Sequence, residues 1–153
     1  AETVVTHQEV FHRLAAPHRA VMVAHALAPS LGEGVAPASC SPQVLSWLPP
    51  QAGLVVADDV EMGALQGWGT LGERAAAALG AGCHQVLLCH ALASRRSVAY
   101  YLDLWAEKDG QLARLLQAAA AAVQSFPRPP LARVDWREAR ERVRDLQARW
   151  EAS

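Results

Sequence analysis

The chain has 153 residues, 52% of them hydrophobic, and its 14 Lys and Arg nearly balance 15 Asp and Glu. This is enough for one domain with a real core, and the near-neutral composition excludes a disordered segment and an electrostatic nucleic-acid binder. No apolar run approaches the ~20 residues that span a bilayer, the polar start Ala1-Glu2-Thr3 does not read as a signal peptide, and the odd set Cys40, Cys83 and Cys89 suits a reducing, cytoplasmic setting better than a disulfide scaffold.

In chain order, Glu9 to Leu14 reads as a helix that Pro17 stops. Ala20-Val21-Met22-Val23-Ala24 then reads as a strand closed by His25. A second apolar run, from Leu54 to Asp58, is bounded by Gly53 and Gly63. Thr70-Leu71-Gly72-Glu73 fits a capping box, because a Thr hydroxyl can accept an N3 amide while Glu reaches back to the cap. The Ala-rich helix it opens should end at Gly80 or Gly82. Gln85-Val86-Leu87-Leu88-Cys89 forms the third strand candidate, closed by His90. Helices follow over Ser94 to Trp105 and Gln111 to Val123, and Phe126-Pro127-Arg128-Pro129-Pro130 breaks the chain. Asp135-Trp136-Arg137-Glu138 offers a second capping box for a charged helix to about Trp150. Val134, Trp136, Val143, Leu146 and Trp150 form its apolar stripe, which is expected to dock the helix (127–153) onto the preceding 1–126. No internal repeat stands out.

Strands alternating with helices imply parallel crossover units. Three such strands are few for an independent sheet, and a closed (β/α)8 barrel takes ~250 residues, so the chain can hold only part of one.

The strongest chemical signal is Leu54-Val55-Val56-Ala57-Asp58-Asp59-Val60-Glu61-Met62, an apolar run that ends in two adjacent carboxylates. A charge at the carboxyl end of a buried parallel strand sits at the mouth of an α/β fold, where ligands bind. Asp58 is therefore the first candidate site residue.

At these residues the chain resembles glycoside hydrolase family 3, in particular its NagZ-type bacterial β-N-acetylglucosaminidases. Ala57-Asp58-Asp59-Val60-Glu61-Met62 is similar to the family's Ser-Asp-Asp-Leu-x-Met strand end. Gly72-Glu73-Arg74-Ala75 and Ala81-Gly82-Cys83 resemble its Ala-Glu-Arg-Ala helix and Ala-Gly-Cys-Asp turn. Pro37-Ala38-Ser39 with Ser41-Pro42 resembles its Pro-Ala-Ser-x-Ser-Pro loop. The likeness covers the chain from about Val10 onward. It implies the C-terminal part of a TIM-type barrel, with the last three strands present and the first five absent. The family's sugar-binding Asp, Arg and Lys-His residues have no counterpart here.

The resemblance implies a retaining β-N-acetylhexosaminidase that releases terminal N-acetylglucosamine from peptidoglycan fragments in the cytoplasm. Such hydrolysis needs a carboxylate beneath the anomeric carbon and an acid/base on the leaving-group side. By motif position Asp58 is the nucleophile, and Asp59 a neighbouring hydrogen-bonding or substrate-binding group. The family's acid/base is a His paired with an Asp, a residue type whose ordinary pKa suits both proton donation and uptake near neutrality. Val5-Thr6-His7 can be laid on that loop, with His7 on the His and Val5 where the Asp belongs. The gapless alternative, which the residues favour, puts Thr6 to Leu14 in the helix before the first strand. Incomplete in this way, the isolated chain is expected to be inactive or nearly so. Its alternatives are a half-barrel subunit completed by an N-terminal chain or a second copy, and an inactive binding or scaffold module.

Other residues carry two readings. His25, at a strand end on the presumed active face, could bind substrate or be a hydrogen-bonded structural group. Met62 is expected to pack beneath the site, within contact of substrate. Trp47 and Trp68 could stack on sugar rings, although packing is the default for Trp. Cys83-His84 and Cys89-His90 suggest a metal by composition, yet their spacing matches no zinc motif, so no metal and no organic cofactor are expected.

Overall fold

The computed structural model describes residues 9–29, 36–127 and 135–151. Three strands, β1 (Ala20–Val23), β2 (Leu54–Asp59) and β3 (Gln85–Leu87), form one parallel sheet in the order β1-β2-β3. All three fall on the expected segments. β1 stops one residue and β3 two residues short of the apolar runs that announced them. The α/β class with three parallel strands and flanking helices is as expected.

β2 is central, and its residues Leu54, Val56, Ala57 and Asp59 are buried. It pairs regularly with β1 from Ala20↔Leu54 to Val23↔Ala57. Against β3 the register slips: Ala57 faces Val86 but Asp59 faces Leu87, so Asp58 is an extra residue on β2. Such a bulge kinks the strand and re-aims a side chain.

Residues 9–14 are helical (α1) and precede β1. A short helix, α2 (Pro42–Leu45), is capped by the Ser41 hydroxyl, which accepts the Val44 amide. α3 (Leu71–Ala81) begins with the full capping box: Thr70 Oγ1 accepts the Glu73 amide and the Glu73 carboxylate accepts the Thr70 amide. The Thr70 amide and the Thr70 hydroxyl, both donating to it, hold the Glu73 carboxyl below its usual range. Gly82 closes the helix at φ 118°, a left-handed conformation that costs glycine nothing. α4 (Arg95–Ala106) and α5 (Gly110–Ser125) follow β3, the second capped by the Asp109 carboxylate. α3 packs on both, and Gly72 permits the closest approach, since a Cβ there would lie 2.6 Å from the Tyr101 ring.

The core lies where β2 meets α3, around Ala57, Ala78 and Cys83, with Leu45, Val55 and Val86 against them. Small residues on both elements let helix and sheet approach closely. Burial, with a smaller push from Cys40, raises the Cys83 thiol to about 12, so it is an inert core group rather than a reactive thiolate.

α6 (Trp136–Glu151) starts where the second capping signal placed it, with Asp135 Oδ1 accepting the Arg137 and Glu138 amides. Its stripe stands in solvent: Trp136 is 77% exposed, Val143 61%, Leu146 62% and Trp150 83%. Val134 lies outside the described residues. No helix among the described residues is long and apolar enough to cross a membrane.

Candidate functional site

The carboxyl ends of the three strands bring together His25, Asp58, Asp59, Glu61 and His90 through hydrogen bonds that tie one strand end to the next. The two adjacent acids of the motif separate there. Asp58 is half-buried, and among the described residues its one hydrogen bond runs from the Asp59 amide to Oδ1, 2.8 Å. Asp59 is buried at 7% exposure. Its Oδ1 accepts the amides of Glu61 (3.1 Å) and Cys89 (3.4 Å), and its Oδ2 lies 3.3 Å from His90 Nδ1. Burial alone would push the Asp59 carboxyl up. The two amides and the imidazole outweigh it, and the group ends below the usual carboxylate range. Buried, ionised and satisfied, Asp59 is an anchor between β2 and the segment after β3.

Glu61 makes a second fastening of the same kind. Its carboxylate accepts the amides of His90 (2.6 Å) and Ala91 (2.8 Å), clasping the turn after β3 to the turn after β2. On the other side Arg74 of α3 reaches the carbonyls of Val60 (3.1 Å), Gln66 (3.4 Å) and Gly69 (2.9 Å), holding the loop that leaves Asp59. The loop between β2 and α3 is thus pinned at both sides of the strand end.

His25 closes the corner from β1. Buried at 5% exposure, it sets Nδ1 2.6 Å from Ser39 Oγ and Nε2 3.0 Å from the Asp59 carbonyl oxygen. A carbonyl can only accept, so the proton sits on Nε2, and in the neutral ring Nδ1 takes the Ser39 hydroxyl proton. Both ring nitrogens are occupied within the protein. The histidine therefore holds the peptide that leaves Asp59, just past the two acids.

The remaining expected site residues are scattered. Met62 is 44% exposed, not packed beneath the site as expected. Its amide bonds the Asp59 carbonyl (3.0 Å) and it starts the short 3-10 turn Gly63–Leu65, in which Leu65 is the buried residue. Trp47 and Trp68 are 43% and 37% exposed. His7 and Val5 lie outside the described residues.

The histidine-cysteine pairs do not converge on a metal. Cys83 Sγ points at the Ser39 carbonyl (3.5 Å), and His84 Nδ1 accepts the Val55 amide (3.0 Å), a use that needs the neutral ring its burial favours. Cys89 is exposed, with its thiol raised by desolvation and by the neighbouring carboxylates of Asp59, Glu61 and Asp58. Ligand atoms of Asp59, Glu61 and His90 do lie within 4.8 Å of one another. The carboxylates of that trio already accept four backbone amides and the His90 ring, which accounts for the cluster as a fastening.

Sequence reasoning did not single out Glu61, Ser39, Arg74 or His90 for these roles. Three of them sat inside the recognised motifs, and His90 closed a strand candidate. The partners of each lie on another element, which no local pattern reveals.

Comparison with known proteins bears on this arrangement. No curated protein matches the chain. The crystal structure of a glycosyl hydrolase family 3 member from Mycobacterium smegmatis is similar over 67% of this chain at 31% identity and a TM-score of 0.54. A fungal multi-domain GH3 β-N-acetylglucosaminidase carrying a GCN5-related glucosamine N-acetyltransferase region is similar over 77% of this chain, with a TM-score of 0.56; at 23% identity it speaks for the fold alone. The chain spans 35% of the first of these proteins and 15% of the second. Residues 6–125 match the model of the glycosyl hydrolase family 3 N-terminal domain, and the chain belongs to that family, its three parallel strands and flanking helices forming part of a TIM-barrel-like fold.

Proposed function

We propose that this chain provides the nucleophile-bearing part of a retaining β-N-acetylhexosaminidase acting on terminal N-acetylglucosamine of peptidoglycan fragments in the cytoplasm, with Asp58 as the nucleophile. One observation carries the reading: Asp58 is the bulged residue at the carboxyl end of the central parallel strand, half-buried, while its identical neighbour is turned inward and fully engaged. The Asp59 amide fixes one oxygen of Asp58 and leaves the other for attack.

In this reading an Asp58 oxygen attacks the anomeric carbon as the bond to the leaving oxygen breaks, and an acid/base protonates that oxygen. The ester that forms is then opened by water, whose proton returns to the same acid/base, so configuration is retained. His7 is the candidate for that proton carrier, and Met62 is a candidate contact to the sugar, while Asp59 acts through the strand end that it anchors. His25 takes part through the backbone it holds.

The same proposal makes the active form a larger assembly. β1 is an edge strand, and a groove of about 510 Å³ lined by Phe11, Leu14, Ala20, Val21 and Met22 runs beside it. A further parallel strand with its helix fits such an edge, from a half-barrel chain or a second copy. The purified chain alone should show little or no turnover.

The test is made on the assembly that hydrolyses a chromogenic N-acetylglucosaminide. A slow-reacting fluorinated N-acetylglucosaminyl fluoride should leave its mass on the peptide holding Asp58, and Asp58→Asn should abolish both the label and turnover. A label on another residue, or turnover that survives the substitution, overturns the assignment. An inactive scaffold would show neither turnover nor label in any assembly.

A further inference from the structure

α6 spaces its apolar residues by the heptad: Trp136, Val143 and Trp150 seven apart, with Ala139 and Leu146 between them. This is the 3.5-residue seam of a coiled coil, narrower than the apolar face of a helix lying in a membrane surface. At 61–83% exposure, the large side chains of the seam are at the surface.

The borders of the seam carry one sign. Arg140 and Gln147 flank it on one side, Arg142 and Arg149 on the other. Glu138, Glu141 and Asp145 fall on the far face together with Arg137 and Arg144, and Glu151, in the last turn, accepts a hydrogen bond from Gln147. Charges at these flanking positions set partner choice and orientation in paired helices. A second copy of α6 lying antiparallel would bring Arg142 against Arg149, which opposes that pairing. A membrane-surface helix would carry a basic polar face, whereas this one is mixed.

We propose that α6 is a docking helix for a partner protein that presents one amphipathic α-helix whose own heptad seam is bordered by Glu or Asp. The seam provides the burial, and Arg140, Arg142 and Arg149 select the partner and set its register. The inference is independent of the chemistry assigned to Asp58.

The test titrates the full chain by calorimetry with a synthetic helix of about four heptads, Ile and Leu in the seam and Glu on both borders, and with a twin carrying Lys on the borders. The Glu peptide should bind at least about tenfold more tightly than the Lys twin, and the difference should shrink as salt is raised. Val143→Asp with Leu146→Asp should abolish binding while helical circular dichroism is retained. Arg142→Glu with Arg149→Glu should reverse the preference between the two peptides. Equal binding of both peptides, binding of neither, or binding that survives the seam variant overturns the proposal. So does a concentration-dependent dimer that the seam variant dissolves, or capture by phosphatidylglycerol vesicles that the Glu peptide does not displace.

Discussion

The carboxyl end of the sheet and the C-terminal helix are built on opposite terms. At the sheet end the buried and half-buried polar side chains are engaged: Asp59 by the Glu61 and Cys89 amides, Glu61 by the turn after β3, His25 by Ser39 and a carbonyl. Along α6 the large side chains of the seam stand in solvent. The contrast teaches where a substitution will be felt. Removing one member of the first region strands buried partners, whereas trimming an exposed side chain such as Val143 or Leu146 removes little buried contact.

The largest difference should come from Asp58→Asn, which removes the attacking charge and keeps the shape. Turnover of the active assembly should fall by about three orders of magnitude or more, with the melting temperature unchanged. A stability loss of the same variant would instead make Asp58 part of the fastening. Next, Asp59→Ala leaves the Glu61 and Cys89 amides and the His90 ring without their acceptor, and chemical denaturation should show a loss of about 2–4 kcal/mol. His25→Leu strands the Ser39 hydroxyl and one bond to the Asp59 carbonyl, for about 1–3 kcal/mol.

Acid sharpens the comparison further. The Asp59 carboxyl is held lower in the folded chain than in the unfolded one. The stability it contributes is therefore complete above the unfolded value near 4, and is lost as pH falls through the lower folded value. A urea-stability profile should drop below about pH 4, and Asp59→Asn should flatten that limb. The smallest effect is expected from Leu146→Ala, within about 0.5 kcal/mol, since an exposed Leu is exchanged for an equally good helix former. A large loss there would mean that α6 is packed on its own domain.

What could be read in advance follows the range of each interaction. Thr70 and Glu73, three residues apart, announce a helix start because both partners of both hydrogen bonds lie in one short window. The strand over 54–59 shows itself by a continuous apolar run, which is how a strand buried on both faces must read. The resemblance placed Asp58 at the strand end but could not foretell the bulge, which depends on the pairing with Val86 and Leu87 some thirty residues on. The clasp of Glu61 on the His90 and Ala91 amides is equally non-local. His90 drew notice as a metal ligand by composition; its real partners are carboxylates of the neighbouring strand end.

The extra step in β2 gives two chemically identical side chains different surroundings, one half-buried beside a single amide and one buried and engaged on both oxygens. An in-frame loss of a single codon at this point would leave an acid at the same place in the reading, yet regularise the ladder and remove the half-buried copy. The doublet is therefore no spare: neither aspartate can stand in for the other, however alike they look on paper.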